Sequence, residues 1–154
     1  MPIVYLGLGS NLGDRRRSLE AALEALRGHP AVRVLAVSRF IETEPVGGPA
    51  GQGPYLNGAA ALETDLEPEA LLAELKRIER ALGRTEGPRW GPRVIDLDLL
   101  LYGDLVLDTP ALAIPHPRLR ERRFVLEPLA EIAGDARDPV TGKSVKELLE
   151  RLGP

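Results

Sequence analysis

The chain contains no cysteine. Disulfides, thiolate metal ligands and a cysteine nucleophile are thereby excluded. It also lacks a surplus of positive charge, because 20 Lys and Arg stand against 23 Asp and Glu, for a net charge of −3. A protein that grips nucleic acid through its phosphate backbone carries the opposite balance, so no nucleic-acid partner is expected and any basic site has to be local. The N-terminus shows no charged-then-apolar leader, which makes a cytoplasmic protein with no membrane association the expectation. Internal repeats, low-complexity tracts and heptad seams are absent as well.

What remains has the balance of an ordinary globule. A chain of 154 residues, 44% hydrophobic and 28% charged, is of a size that forms one domain and buries about two-thirds of its unfolded surface. A single domain over residues 1–154, working as a monomer, is expected.

Ile3 to Leu8 is a short apolar run that ends in "GLGSNLGD", after which Leu19, Ala22, Leu23 and Leu26 recur at helical spacing. Gly28 and Pro30 stop that helix. Residues 31–42 alternate, with Val32, Val34 and Ala36 on one face and Arg33, Leu35, Val37 and Arg39 on the other, which predicts one strand. "TEPVGGPAGQGP", residues 43–54, is a long Gly/Pro loop, and "YLNGAAALET" resumes as a strand. Pro68 opens a helix with Leu71, Leu72, Leu75, Ile78 and Leu82 as its apolar stripe and Gly83 at the C′ position. A second loop runs from Gly83 to Pro92. Val94 to Tyr102 then predicts a strand that turns through Gly103-Asp104 into a hairpin with "LVL". "IPHPRLRERRFVLEPLAEIAG" predicts mixed loop and short helix, and Ser144 with Glu147 forms a capping box ahead of a last helix.

The order β-α-β-β-α-β with extra C-terminal elements predicts an α+β fold, a ferredoxin-like sandwich with a mainly antiparallel sheet. Helices on one face would leave the other face partly free.

Two aspartates interrupt the strand in "RWGPRVIDLDLLLYG", although strands disfavour Asp. Residues two apart project to the same side, so Asp96 and Asp98 share a face, with Cα atoms about 6.6 Å apart, while Ile95, Leu97, Leu99 and Leu101 take the other. Two carboxylates on a rigid surface suit Mg²⁺, and two-metal phosphoryl sites hold their ions about 3.5 to 4 Å apart. An isolated D-x-D is more often simply solvated, but Arg84, Arg89, Arg93, Arg122 and Arg123 crowd the neighbouring loops and element ends, and guanidinium groups beside such carboxylates suit polyphosphate.

Other motifs weigh less. Gly7, Gly9 and Gly13 give G-x-G-x-x-x-G, one residue too long for a dinucleotide fingerprint, so a structural turn is expected there. The Gly142 to Ser144 run lacks the preceding glycine of a Walker loop. His116, held between prolines near several arginines, is placed to touch an anion, whereas His29 reads as surface punctuation. Trp90 stands in a Gly/Pro loop, where a lid or stacking role competes with packing. These residues leave two readings open: a Mg²⁺-dependent enzyme such as a phosphoryl or nucleotidyl transferase or a phosphohydrolase, and a non-catalytic ligand-binding domain.

"RWGPRVIDLDLL" resembles the signature segment of the 6-hydroxymethyl-7,8-dihydropterin pyrophosphokinase family of folate biosynthesis. "GLGSNLGD", "TEPVG", "YLN" and "IPHPRLRERRFVLEPLAEIA" resemble it too, in the same order along nearly the whole chain. The resemblance implies transfer of the β,γ-diphosphate of ATP to the pterin hydroxymethyl group, with release of AMP. It implies a ferredoxin-like fold, two Mg²⁺ ions on Asp96 and Asp98, and ATP and the pterin as small-molecule partners. By position, Tyr55, Asn57, Trp90 and Phe124 resemble the pterin pocket, with Thr43 and Val46 as backbone contacts. Arg84, Arg93, His116 and Arg122 match ATP positions, with Leu72, Leu99 and Leu112 on the adenine side and Glu79 nearby. Arg84, Trp90 and Arg93, with the two aspartates, make up the implied catalytic set. The chain departs from the family pattern at Lys76, Thr85 and Glu86.

Overall fold

The computed structural model describes residues 2–44, 53–83 and 94–153. The chain runs β1 (Ile3–Ser10), α1 (Arg15–Arg27), β2 (Val32–Val37), β3 (Ile41–Thr43), β4 (Tyr55–Thr64), α2 (Pro68–Ala81), β5 (Asp96–Tyr102), β6 (Leu107–Asp108), β7 (Ala113–Ile114), α3 (Arg123–Ala133) and α4 (Val145–Arg151). The main sheet has the order β2-β4-β1-β5, with β3 also pairing β4, and every pairing is antiparallel. This is the expected ferredoxin-like α+β arrangement. No helix among the described residues is long and apolar enough to cross a membrane.

Strand β1 alternates because it separates two cores. Val4, Leu6 and Leu8 pack with Leu19, Ala22, Leu23 and Leu26 of α1 and with Leu71, Leu75 and Ile78 of α2. Both helices were legible from those apolar stripes. Asp14 caps α1 by accepting the Arg17 N–H at 3.2 Å, and Pro68 starts α2 where its missing N–H costs nothing. Gly83 ends α2 at φ +103°, a conformation that glycine adopts without strain.

The opposite face is not left free along its length. Leu119, Val125, Leu126 and Leu129, together with Val145 and Leu148 of α4, close a second core over Ala59, Leu100 and Leu101. The sequence predicts mixed loop and short helix here, whereas α3 runs for 11 residues with Pro128 inside it. The apolar stripe outweighs that interruption. Ser144 and Glu147 form the expected capping box of α4.

Four strand expectations need correction. Residues 31–42 form two strands, because the Ser38 hydroxyl takes the Ala59 N–H at 2.8 Å and gives its own hydrogen to the Arg39 carbonyl. The register of β2 against β4 slips between Val34 and Ala36, so Val37 rather than Ala36 follows Val32 and Val34 into the first core. A second slip, between Tyr5 and Leu6 against β5, puts Leu101 in the second core and off the face of Ile95, Leu97 and Leu99. A β-bulge inserts one residue and inverts the alternation beyond it. Finally, β5 and "LVL" do not form a hairpin. The Gly103 turn folds back on β1 through its N–H to the Ile3 carbonyl, and β6 pairs with β7 in a separate two-stranded sheet.

Candidate active site

Beyond the second core, the same face carries a group of polar strand residues. On β1, Gly9 lies opposite Asn57 of β4 on one side and Asp96 of β5 on the other, and Gly7 lies likewise between Ala59 and Asp98. Neighbouring strands are about 4.8 Å apart, so Asn57 and Asp96 face each other over roughly 10 Å of sheet with a glycine between them. These glycines were expected to make a turn. They are strand residues instead, and of the three only Gly13 has the positive φ, +72°, of a turn glycine. They leave a floor without side chains between the polar groups. A Cβ on Gly9 would stand 3.0 Å from the Asn57 Oδ1 and 3.4 Å from the Tyr55 ring.

Asn57 is buried, and its Nδ2 donates to the Thr43 hydroxyl at 2.5 Å. Thr43, Tyr55 and Asn57 thus form one group on β3 and β4, as their assignment to one pocket requires. Thr43 contributes a side chain where only its backbone was expected.

On the other side of the floor, Asp96 and Asp98 flank the start of β5, at the sheet edge. Arg122 is half-buried beside them. Burial pushes its guanidinium below the ordinary arginine range, the Asp98 carboxylate pulls it back up, Arg118 opposes, and Asp96 and Glu121 assist. The same guanidinium lies 5.5 Å from the centroid of the Phe124 ring, so it joins the acid pair to the start of α3.

Outside β5 opens a cavity of about 320 Å³, lined by Leu72, Lys76 and Glu79 of α2, residues 96 to 99, the 109–113 segment, and His116 with Pro117. That size suits a small organic ligand. Leu72, Glu79, Leu99, Leu112 and His116, expected on the nucleotide, meet in this one cavity, and Lys76, a departure from the family pattern, lines it too. Glu79 is 4% exposed, and its Oε2 accepts the Leu97 N–H at 2.7 Å. It occupies an amide of the edge strand, a task the sequence did not reveal.

His116 is tied at two points. Its N–H donates to the Leu100 carbonyl at 3.0 Å, and its Nδ1 accepts the Arg118 N–H at 3.1 Å. Burial, then the Arg122 charge, lowers its pKa from the ordinary histidine value, with Asp96 acting the other way and Arg118 reinforcing the drop. With Nδ1 an acceptor, the neutral ring carries its proton on Nε2 and is a donor there.

Among the described residues no three His, Asp or Glu side chains cluster as a metal cage. Mg²⁺ does not require one, since it keeps several waters and is held by one or two carboxylates plus phosphate oxygens. Asp96 and Asp98, two carboxylates on one rigid strand face, fit that donor set. Val46, Arg84, Trp90 and Arg93 lie outside the described residues, as do Thr85 and Glu86.

Fold and geometry define a ferredoxin-like α+β domain with a cavity lined in part by Asp96 and Asp98 at the edge of its sheet. The chain belongs to the 7,8-dihydro-6-hydroxymethylpterin-pyrophosphokinase (HPPK) family, whose pattern matches residues 5–134. It is 47% identical over 146 residues to a Pseudomonas aeruginosa protein named 2-amino-4-hydroxy-6-hydroxymethyldihydropteridine pyrophosphokinase, covering 95% of this chain and 89% of that one. A Bacillus subtilis protein of the same name is 49% identical over 130 residues, 84% of this chain and 77% of its own. The solved Plasmodium falciparum HPPK-DHPS structure superposes with a TM-score of 0.72 at 16% identity. The match covers 98% of this chain but 43% of that longer one, and it bears on the fold alone.

Proposed function

We propose that this chain transfers the β,γ-diphosphate of ATP to the hydroxymethyl group of 6-hydroxymethyl-7,8-dihydropterin and releases AMP. Membership of the pyrophosphokinase family supports the activity. One observation carries the assignment of the site: the Asp96–Asp98 pair lies between the cavity outside β5 and the Thr43–Tyr55–Asn57 group across the glycine floor. A nucleotide in the cavity and a pterin on Asn57 would therefore meet over the two carboxylates.

In this reading Leu72, Leu99 and Leu112 enclose the adenine, while Glu79 holds the cavity wall through the Leu97 amide. Arg122 and the Nε2–H of neutral His116 approach the phosphates as charge-assisted donors. Asn57 offers a donor and an acceptor to the pterin edge, and Tyr55 and Phe124 offer ring faces. Arg84, Trp90 and Arg93 join from the second loop and Val46 from the first, as the family resemblance implies.

Asp96 and Asp98 would hold Mg²⁺, two ions by the family resemblance, and bound there it neutralises phosphate charge. The pterin hydroxyl releases its proton to solvent as its oxygen bonds to the β-phosphorus, the bond from that phosphorus to the α,β-bridging oxygen breaks, and AMP leaves with that oxygen. The protein's share is positioning and charge complementarity, which is most of what phosphoryl transfer asks of an enzyme. The reading further takes residues 1–154 as one domain, acting as a cytoplasmic monomer on small molecules. The two cores on one sheet support a single domain, and the net charge of −3 speaks against nucleic acid.

Phosphorus NMR of the reaction mixture tests the proposal. AMP with a diphosphorylated pterin is expected. ADP with a monophosphorylated pterin, or phosphate release indifferent to pterin, would assign the site to a different phosphoryl transferase.

A further inference from the structure

Eighteen residues beyond Arg120, and away from the cleft residues, lies a fully buried carboxylate. Asp138 is 0% exposed, and both its oxygens are occupied by Arg120, Oδ2 by Nε at 2.5 Å and Oδ1 by Nη2 at 3.0 Å. The Val140 N–H and the Thr141 hydroxyl each add a bond at 2.9 Å. Its backbone is held as firmly: the Asp138 N–H donates to the Lys143 carbonyl, and the Gly142 N–H donates to the Asp138 carbonyl. This turn is fastened to the helices by the Val145 N–H on the Ala136 carbonyl and by the Lys146 N–H on the Gly134 carbonyl.

Arg120 is the middle residue of the single 3-10 turn Leu119–Glu121. His116 lies four residues before it and Arg122 two residues after, so a rotation of this turn carries both site residues with it. Backbone bonds hold the stretch locally, the Leu119 N–H on the His116 carbonyl, the Glu121 N–H on the Arg118 carbonyl and the Leu126 N–H on the Arg122 carbonyl, but none of them ties the turn to the segment beyond α3. Arg122 is the N-cap of α3, and its side chain makes no capping bond, so the start of that helix lacks the side-chain restraint a cap supplies. Leu119, buried in the second core, fixes one side of the turn. The planar fork of Arg120 on Asp138 fixes its orientation, which a bidentate pair does and a point charge does not.

We propose that the buried Asp138–Arg120 pair is a positioning clamp that sets His116 and Arg122 at the phosphate-binding end of the cleft from outside it. Neither residue reaches substrate. The inference rests on the placement of ATP proposed above. It predicts a kinetic signature that a merely structural ion pair would not give, because an error of about 1 Å in a positioning group costs on the order of 10²-fold in rate.

The experiment measures steady-state kinetics and pterin affinity of the full chain, well below melting, for Asp138→Ala and the milder Arg120→Lys. Arg122→Ala serves as a site control and Leu148→Ala as a stability control, since Leu148 packs in the second core and makes none of the pair's hydrogen bonds. The expected result is a loss of about 10 to 100-fold in kcat/KM for MgATP in Asp138→Ala, a smaller loss in Arg120→Lys, and pterin affinity within about twofold of the parent. Leu148→Ala should melt earlier yet keep its kinetics. If both clamp variants melt earlier but turn over normally, or if Leu148→Ala loses kcat/KM to the same degree, the clamp is refuted while the site survives. If Arg122→Ala itself leaves MgATP kinetics unchanged, the site placement fails and takes the clamp with it. Should Asp138→Ala not fold, Arg120→Lys alone decides.

Discussion

The two faces of the sheet have different fates along its length. The α1/α2 face is apolar from Val4 to Leu8 and closed throughout. The α3/α4 face is closed over Tyr5, Ala59, Leu100 and Leu101, then gives way to Gly7, Gly9, Asn57, Asp96 and Asp98. The first face is core throughout, though Leu72, Leu99 and Leu112 at its β5 edge also line the cavity, and the second gives way to glycines and polar groups. The same strand serves both, since Leu97 packs in the first core between two aspartates that face the cleft. Stability and activity should therefore separate between the aspartates of β5 and the fully buried residues of the first core.

The sharpest way to break that separation is to cut each face in turn. Asp96→Asn should lower diphosphate transfer by about 10³-fold or more, the scale on which charge-stabilising groups act in phosphoryl transfer. The metal-free protein should melt at the parent temperature or slightly above, because two like charges on one face oppose folding until a cation joins them. Leu6→Ala, on the closed face, should do the reverse. It should cost about 2 to 5 kcal/mol in denaturant unfolding and leave turnover per folded molecule intact. Thermal melts with and without Mg²⁺ and ATP, run beside product assays, read both halves. An Asp96→Asn variant with a parental Mg²⁺-dependent shift and normal transfer would reduce the aspartates to solvated residues.

Glycine gives a second and smaller contrast. A Cβ on Gly9 would press on the Asn57 Oδ1 at 3.0 Å, in the cleft, whereas one on Gly58 would strike the Phe40 ring at 2.7 Å, in the first core. Gly9→Ala should raise the pterin KM by about tenfold or more, the effect of roughly 1 to 3 kcal/mol of misfit at a binding group. Stability should change little. Gly58→Ala should instead destabilise by about 1 to 3 kcal/mol through overpacking, with KM near that of the parent. Parental pterin kinetics in Gly9→Ala would remove the glycine floor from the substrate site.

The sequence carried much of this, and what it hid has physical reasons. Helices α1, α2 and α4 were legible because apolar stripes are local signals, and Pro68 and Ser144 each stand within a turn of the residues they organise, whereas the Asp14 cap of α1 was not read. The aspartates were legible because they contradict the strand around them. The two slips of register were not, since a bulge depends on the neighbouring strand, and Val37 and Leu101 change sides without any mark in their own segments. Gly7 and Gly9 resembled a broken nucleotide loop, and only their partners across the sheet reveal a floor. Glu79 on the Leu97 amide and Asp138 on Arg120 are side-chain contacts over 18 residues, beyond any periodicity.

The smallest expected effect separates the cleft from the clamp by pH. In the clamp, burial pushes the Asp138 carboxyl up, but the Arg120 guanidinium, the Val140 N–H and the Thr141 hydroxyl together hold it below the usual carboxylate range. A depressed carboxyl contributes stability that is present above its unfolded pKa, about 3.9, and is lost as pH falls through the folded value. In the cleft, His116 also titrates below its usual value, from burial and then the Arg122 charge. For a base the lowered pKa means that the unfolded chain takes up the proton first. Stability should then decline as pH falls from about 6.5 toward the folded value, and level off beneath it. Both groups weaken the fold in acid, but in different windows. Melting curves in chelator should show His116→Gln flattening the slope just below pH 6.5 without touching the region below pH 4. Asp138→Asn should melt earlier than the parent by a constant margin from about pH 7 to 5, and the margin should shrink below about pH 4. A margin that persists undiminished at low pH would mean that the carboxylate charge on Arg120 is not what secures the turn.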